Sequence, residues 1–159
     1  MKRTESVLAF FLALIVAAAA FGARAEAADA VYDNAKLLTR REKDALVDNI
    51  HRIENKYGVR IGVVTTPSVQ GRHIGHVANA ILDEAYRGAP HGGMVLLISM
   101  DERQWYISTD TKMQLRITDE EGIPYIADRM VPHLKNGDYF KGLTEYVSAI
   151  EYLLGRFFG

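Results

Sequence analysis

Apolar positions recur along this chain with two different periods, and the changes of period mark its elements. Leu46, Ile50, Ile53 and Tyr57 fall three or four residues apart, the spacing of one helix face. Thr39 stands three residues before Glu42. That is a capping box, in which the hydroxyl accepts from the Glu42 amide and the carboxylate reaches back. Gly58 supplies a C-terminal stop, so the pattern predicts a first helix from Arg40 to Tyr57. Lys43, Asp44, Asp48, Arg52 and Glu54 make its solvated face. Val59 to Thr66 is rich in β-branched residues and ends at Pro67, as a buried strand does. Ile74, Val77, Ala78, Ile81, Leu82 and Ala85 return to helical spacing and close at Gly88. Met94 to Met100 is almost continuously apolar and reads as a central strand. The polar turn Asp101-Glu102-Arg103 then leads into a strand through Trp105, Tyr106 and Ile107. So short a connection requires that strand to run antiparallel.

Further along, Thr118 and Glu121 repeat the capping spacing ahead of Ile123, Ile126, Met130 and Val131. A third helix starts there, or after Gly122 with Pro124 in its first turn, and Pro132 disturbs its end. Asn136-Gly137-Asp138 forms a turn, and Asp138 is placed to cap a last helix bearing Leu143, Tyr146, Val147, Ile150 and Leu154. Three short strands among helices predict an α/β fold. It would be a three-layer α/β/α sandwich, with a small mixed sheet flanked by helices. The step from Val59 to Met100 should be a right-handed parallel crossover. Leu46, Ile50, Ile81, Val95, Leu97, Trp105, Met130 and Ile150 are the expected core.

The start of the chain follows another logic. Lys2 and Arg3 precede an uncharged apolar run from Val7 to Phe21, and Gly22-Ala23-Arg24-Ala25 follows. Basic end, apolar centre and small-residue ending are the parts of a secretory signal. The expected cut lies after Ala25, with Ala25 and Ala27 offering a second. The run is shorter than the ~20 residues of a spanning helix. Residues 1–25 are therefore read as a signal peptide, and residues 31–158 as a single domain without a transmembrane helix. The expected location is exported, periplasmic or extracellular.

Composition narrows the chemistry. The 159 residues include no cysteine, which excludes a thiol nucleophile, a disulfide scaffold and a zinc ribbon. Lys and Arg number 19 against 20 Asp and Glu, a net charge of −1. Removing Lys2, Arg3, Arg24 and Glu5 with the signal leaves 16 basic and 19 acidic residues, a net −3. Without a basic excess, nucleic acid is not expected as a partner.

Several segments together resemble the TPM domain family. Val31-Tyr32-Asp33-Asn34-Ala35 with Leu38-Thr39 is similar to its opening motif, and Gly58 to Pro67 to its first strand. Gly92-Gly93-Met94-Val95-Leu96-Leu97-Ile98 with Asp101-Glu102-Arg103 is similar to its central strand and acidic turn. Asn136-Gly137-Asp138-Tyr139 with Gly142-Leu143 is similar to its late turn. The resemblance spans Val31 to Leu154 and implies an α/β/α sandwich. It implies three activities found among members: binding of calcium or related divalent ions near the acidic turn, acid phosphatase activity, and service as accessory factors for membrane protein complexes. Two segments depart from the family pattern. Pro90-His91-Gly92-Gly93 stands where an Asp-Asn-Gly-like stretch is usual, and Asp110-Thr111-Lys112-Met113 where a Gly-aromatic-Gly stretch is usual. Both changes are expected to fall where a small ligand would be held.

The candidate metal ligands are Asp33, Asp101 and Glu102, because hard cations such as Ca2+ prefer oxygen. With one family carboxylate missing, binding should be weak. His73 and His76, three apart, can share a helix face, yet no third ligand at motif spacing accompanies them. His91 lies in a glycine-containing loop, but that loop precedes a strand, whereas a P-loop precedes a helix. Ser68, Ser99, Ser108 and Ser148 include no nucleophile elbow. Trp105 and Tyr106 must face opposite sides of their strand, one toward the core and one toward a partner surface. The expected function is a non-enzymatic accessory or binding module for an envelope or membrane-associated protein complex. The alternative is a divalent-metal-dependent acid phosphatase, in which carboxylate-held metal would activate water.

Overall fold

The computed structural model describes residues 28–159; the expected signal, residues 1–25, lies outside them. The elements follow in the order β1 (Val31–Asp33), α1 (Arg40–Tyr57), β2 (Arg60–Thr66), α2 (Ile74–Ile81), β3 (Gly93–Ser99), β4 (Gln104–Thr109), α3 (Thr111–Gln114), α4 (Gly122–Lys135) and α5 (Tyr139–Phe158). A π-helical turn, Leu82–Tyr86, extends α2. The sheet order is β1-β2-β3-β4, with β1, β2 and β3 parallel and β4 antiparallel. This is the mixed sheet expected, with one strand more. Val31–Asp33 pairs with Val63–Thr65 as an edge strand. Three residues are too few to show an alternating pattern, so periodicity could not reveal it.

Local signals account for the element ends. Thr39 and Glu42 form both halves of the capping box, and Gly58 closes α1 at φ 63°. Of the two starts considered for α4, the chain uses Gly122, which puts Pro124 in the first turn. Pro132 lies within the final turn without ending the helix, which continues to Lys135. Asp138 takes the N-cap position of α5, but its side chain makes no capping hydrogen bond.

Alternation along the strands divides the core in two. Ile61, Val63, Met94, Leu96 and Ile98 face α1, α4 and α5. Val64, Val95 and Leu97 face α2 and its π-turn. The result is a three-layer arrangement. Both parallel steps move one strand in the same direction while their helices cover opposite faces, so the two crossovers have opposite hands. One of them departs from the right-handed preference seen in about 98% of such units. Of the expected core residues, Leu46, Ile50, Ile81, Val95, Leu97, Met130 and Ile150 are buried. Trp105 is half-buried against the larger core, and Tyr106 on the other face is exposed. Tyr146 is wholly buried in the middle of the molecule, where its hydroxyl donates to the Gly62 carbonyl at 3.1 Å. No helix among the described residues is long and apolar enough to cross a membrane.

Candidate functional site at the carboxyl ends of the strands

In open α/β sheets the loops beyond the carboxyl ends of parallel strands are the usual place for a site. Here the register sets Asp33 opposite Thr65, and Thr66 opposite Ser99. The three parallel strands therefore end together, and their polar termini build one edge.

Asp33 closes its own loop. Oδ1 accepts from the Leu37 amide at 3.0 Å and from the Thr65 hydroxyl at 2.6 Å, and Oδ2 accepts from the Leu38 amide at 2.9 Å. The Thr65 oxygen in turn accepts from the Ala35 amide at 3.1 Å. These bonds hold the strand-to-helix connection, in which Lys36 takes a positive φ of 56°.

Glu102 ties two connections together. Oε1 accepts from the Ser68 hydroxyl, and Oε2 accepts from the Ser99 hydroxyl and, at 3.4 Å, from the Val69 amide. The Ser68 and Ser99 hydroxyls favour the charged form and lower the Glu102 pKa from 4.5 to about 2. The β3–β4 turn is joined to the segment after β2 by backbone bonds as well. The Met100 amide donates to Thr66 O at 3.1 Å and the Asp101 amide to Pro67 O at 2.9 Å. The Asp101 side chain is exposed on the turn.

Of the three expected metal ligands, Asp33 belongs to the β1 end and Asp101 and Glu102 to the β3–β4 turn, with β2 between them. Among the described residues, no group of three or more His, Asp or Glu side chains stands together as a metal-holding set. His73 and His76 do meet, with ring centroids 4.7 Å apart on the exposed start of α2. His91 is engaged by the Tyr57 carbonyl at 2.7 Å. Of the four serines, Ser68 and Ser99 serve Glu102, Ser108 donates to Asn79 Oδ1 at 2.5 Å, and Ser148 is exposed on α5.

A cavity of about 500 Å³ opens beside this edge. Ser99, Arg103 and Trp105 from the hairpin form one wall, and Lys135, Asn136 and Tyr139 around the α4–α5 turn form the other. Two cations and two aromatic rings line one cleft. Sequence reading missed this groove, because its walls lie some thirty residues apart and nothing in either family-like segment shows that the two meet.

The two segments that depart from the family pattern are not at this edge. Gly92 and Gly93 open β3 and Asp110 follows β4, so both segments lie a whole strand away from the acidic turn. That separation is about 20 Å at strand rise. They also fit each other. Asp110 Oδ2 accepts from the Gly93 amide at 2.9 Å, and Oδ1 accepts from Met113 N at 2.8 Å as the N-cap of α3. Gly92, at φ 106°, passes so close that a Cβ would lie 2.4 Å from Met113 N and 2.7 Å from Asp110 Oδ1. The carboxylate missing before the central strand is thus replaced by one arriving from the far side of the hairpin. Both changes were expected to fall where a small ligand would be held; the two segments meet each other at the edge opposite the acidic turn.

A family model described as the TPM domain matches residues 31–153. Three solved structures are similar. The N-terminal domain of a protein from P. gingivalis has 25% identity and a TM-score of 0.71, covering 83% of this chain and 85% of that one. The N-terminal domain of the cg2496 protein from Corynebacterium glutamicum has 16% identity and a TM-score of 0.63, covering 84% and 83%. The BA42 protein from Bizionia argentinensis has 16% identity and a TM-score of 0.60, covering 76% and 83%. The last two bear on the fold alone. No curated protein matches the chain.

Proposed function

The chain belongs to the TPM domain family, and from that premise we propose that it is an exported, non-enzymatic binding module for a membrane-associated protein complex. The observation that carries this reading is the contrast at the carboxyl edge between committed carboxylates and an open groove. Asp33 and Glu102 hold loops through three hydrogen bonds on each side chain. The neighbouring cleft offers Arg103, Lys135, Trp105 and Tyr139. Arginine and large aromatic rings are the side chains that anchor protein interfaces. An acidic, extended segment of a partner would suit the two cations.

Turnover of a generic phosphoester by the purified protein tests this reading. The expected rate is that of buffer, with or without calcium. Turnover that chelator abolishes and that Asp101→Ala removes would establish the metal-dependent phosphatase instead. A photo-reactive residue at Lys135 in living cells should crosslink a membrane-associated protein, while one at Tyr106 on the other face should not. Weak calcium binding at Asp33, Asp101 and Glu102 is tested by melting with millimolar calcium: a rise in Tm that Asp101→Asn loses supports it, and no rise removes it. Export is tested by mass spectrometry, which should find Glu26 as the first residue of the mature protein.

A further inference from the structure

Among the described residues, three of the five exposed large hydrophobic side chains lie toward the other edge, where the parallel strands begin; Tyr106 and Tyr152 lie elsewhere. Leu115 is 70% exposed, Phe157 50% and Phe158 41%. The Phe158 ring stacks 5.8 Å from Tyr57, tilts 5.0 Å from His91 and meets Phe157 edge-on at 5.2 Å. Cations are interleaved with these rings. The Arg116 guanidinium lies 5.0 Å from the Phe157 centroid and 5.2 Å from that of Phe158, and Lys56 Nζ lies 5.0 Å from that of Tyr57. Arg156, one residue before them in α5, has its guanidinium 5.9 Å from the Tyr152 centroid.

Three cations near these rings stand outside the ion pairs, although Asp119, Glu120 and Glu121 follow Arg116 and are exposed. The ion pairs among the described residues are Arg52–Glu151, Arg60–Glu54, Arg87–Asp83 and Arg129–Glu145. Lys56, Arg116 and Arg156 take part in none of them. Glu151, the carboxylate that feels the field of Lys56, is held by Arg52 through two bonds of 2.7 Å. The Arg116 guanidinium donates through Nη1 to the Lys112 carbonyl at 2.7 Å, while its Nε is buried with no hydrogen-bond partner.

We propose that this edge is a peripheral membrane-binding face for bilayers that carry anionic lipid. An apolar and aromatic centre with cations interleaved complements phosphate headgroups above acyl chains. Aromatic rings settle at that depth, and cations meet the negative surface. Chain geometry points the same way. Arg60 donates to the Ala28 carbonyl through its side chain and to Gly92 O through its amide, beside His91. The chain therefore enters the domain at this edge. In sequence, Ala28 follows the apolar run Val7–Phe21 by seven residues, a reach of at most about 25 Å. The proposal does not rest on the groove being a binding site.

Flotation with two kinds of vesicle tests it: equal parts phosphatidylcholine and phosphatidylglycerol, and phosphatidylcholine alone. All proteins compared carry one N-terminus, established by mass spectrometry, so any contribution of residues 7–21 cancels. Wild type should float with the anionic vesicles more than with the neutral ones, and high salt should reduce this. Arg116→Gln with Arg156→Gln should weaken binding about 25-fold, roughly fivefold for each cation. Phe157→Ser with Phe158→Ser should abolish it. In Phe158→Trp, indole emission should shift to the blue on adding anionic vesicles; this decides the matter even where a double variant folds poorly. Equal flotation of wild type and both double variants, or no emission shift, would overturn the proposal. So would a dimer of wild type that Phe157→Ser with Phe158→Ser dissociates, which would make the patch a contact between copies.

Discussion

Where the parallel strands end, Asp33 and Glu102 turn their charge inward, onto the amides and hydroxyls of their own loops. Where the strands begin, Arg116 lies against the exposed rings of Phe157 and Phe158, and Lys56 against the half-buried ring of Tyr57. The difference shows that charge alone does not mark a functional surface. A carboxylate saturated by internal donors is structural, because each hydrogen bond it already makes must be broken before it can serve a ligand. A cation above exposed rings keeps most of its field available to a partner. The acidic turn, conspicuous in sequence, works as a brace. Phe157 and Phe158, at the end of α5, sit on the more available surface.

Several substitutions would break or sharpen this contrast. The largest effect is expected midway between the edges. Leu97 is wholly buried in β3, and Leu97→Ala should cost about 2–5 kcal/mol in denaturant melts. Both edges depend on that strand, so probes at either one should report a single transition. Next comes Asp33→Ala, which strands two loop amides and the Thr65 hydroxyl. A loss of about 1.5–3 kcal/mol is expected for bonds to a charged acceptor; a neutral result would mean that the Asp33 loop is not braced as described. Asp110→Ala is the counterpart at the other edge, removing the cap of α3 and the partner of the Gly93 amide. A loss of about 1–2 kcal/mol is expected, and it would confirm that the two departures from the family pattern are one structural unit.

A subtler effect concerns acid. The folded pKa of Glu102 lies near 2, below its ordinary 4.5. Its contribution to stability is therefore complete above 4.5 and is lost as pH falls toward 2. Urea melts across that window should show wild type losing stability that Glu102→Gln does not lose. Parallel slopes for the two proteins would remove Glu102 as the brace of the turn. The smallest effect is expected at the aromatic edge. Phe157 is half exposed, so Phe157→Ser should change stability by no more than about 0.5 kcal/mol, even though vesicle binding should suffer. A large loss would place that ring in the core instead of on a contact surface.

Much of the framework was legible from local signals. Thr39, Glu42 and Gly58 bounded α1 because capping joins residues only a few positions apart. The apolar run from Met94 predicted β3 because a strand covered on both faces has no polar side. Reading failed where an element was too short, as with Val31–Asp33, or where two segments had to be considered together, as with Gly92 and Asp110. It failed too at the groove, whose two walls come from the β3–β4 hairpin and the α4–α5 turn.

The sequence by itself determined the periodicities, caps and turns, and with them the layered α/β architecture and the division of core from surface. These depend on interactions within a turn or two of chain, or on the averaged need to bury apolar area. Only the tertiary structure decided which groups are free. Glu102 meets Ser68, thirty-four positions away, and Arg116, in the turn after α3, meets Phe157 and Phe158 at the end of α5. Whether a charge becomes a brace or a contact surface depends on the neighbours that long-range packing brings to it, and spacing along the chain carries no record of them.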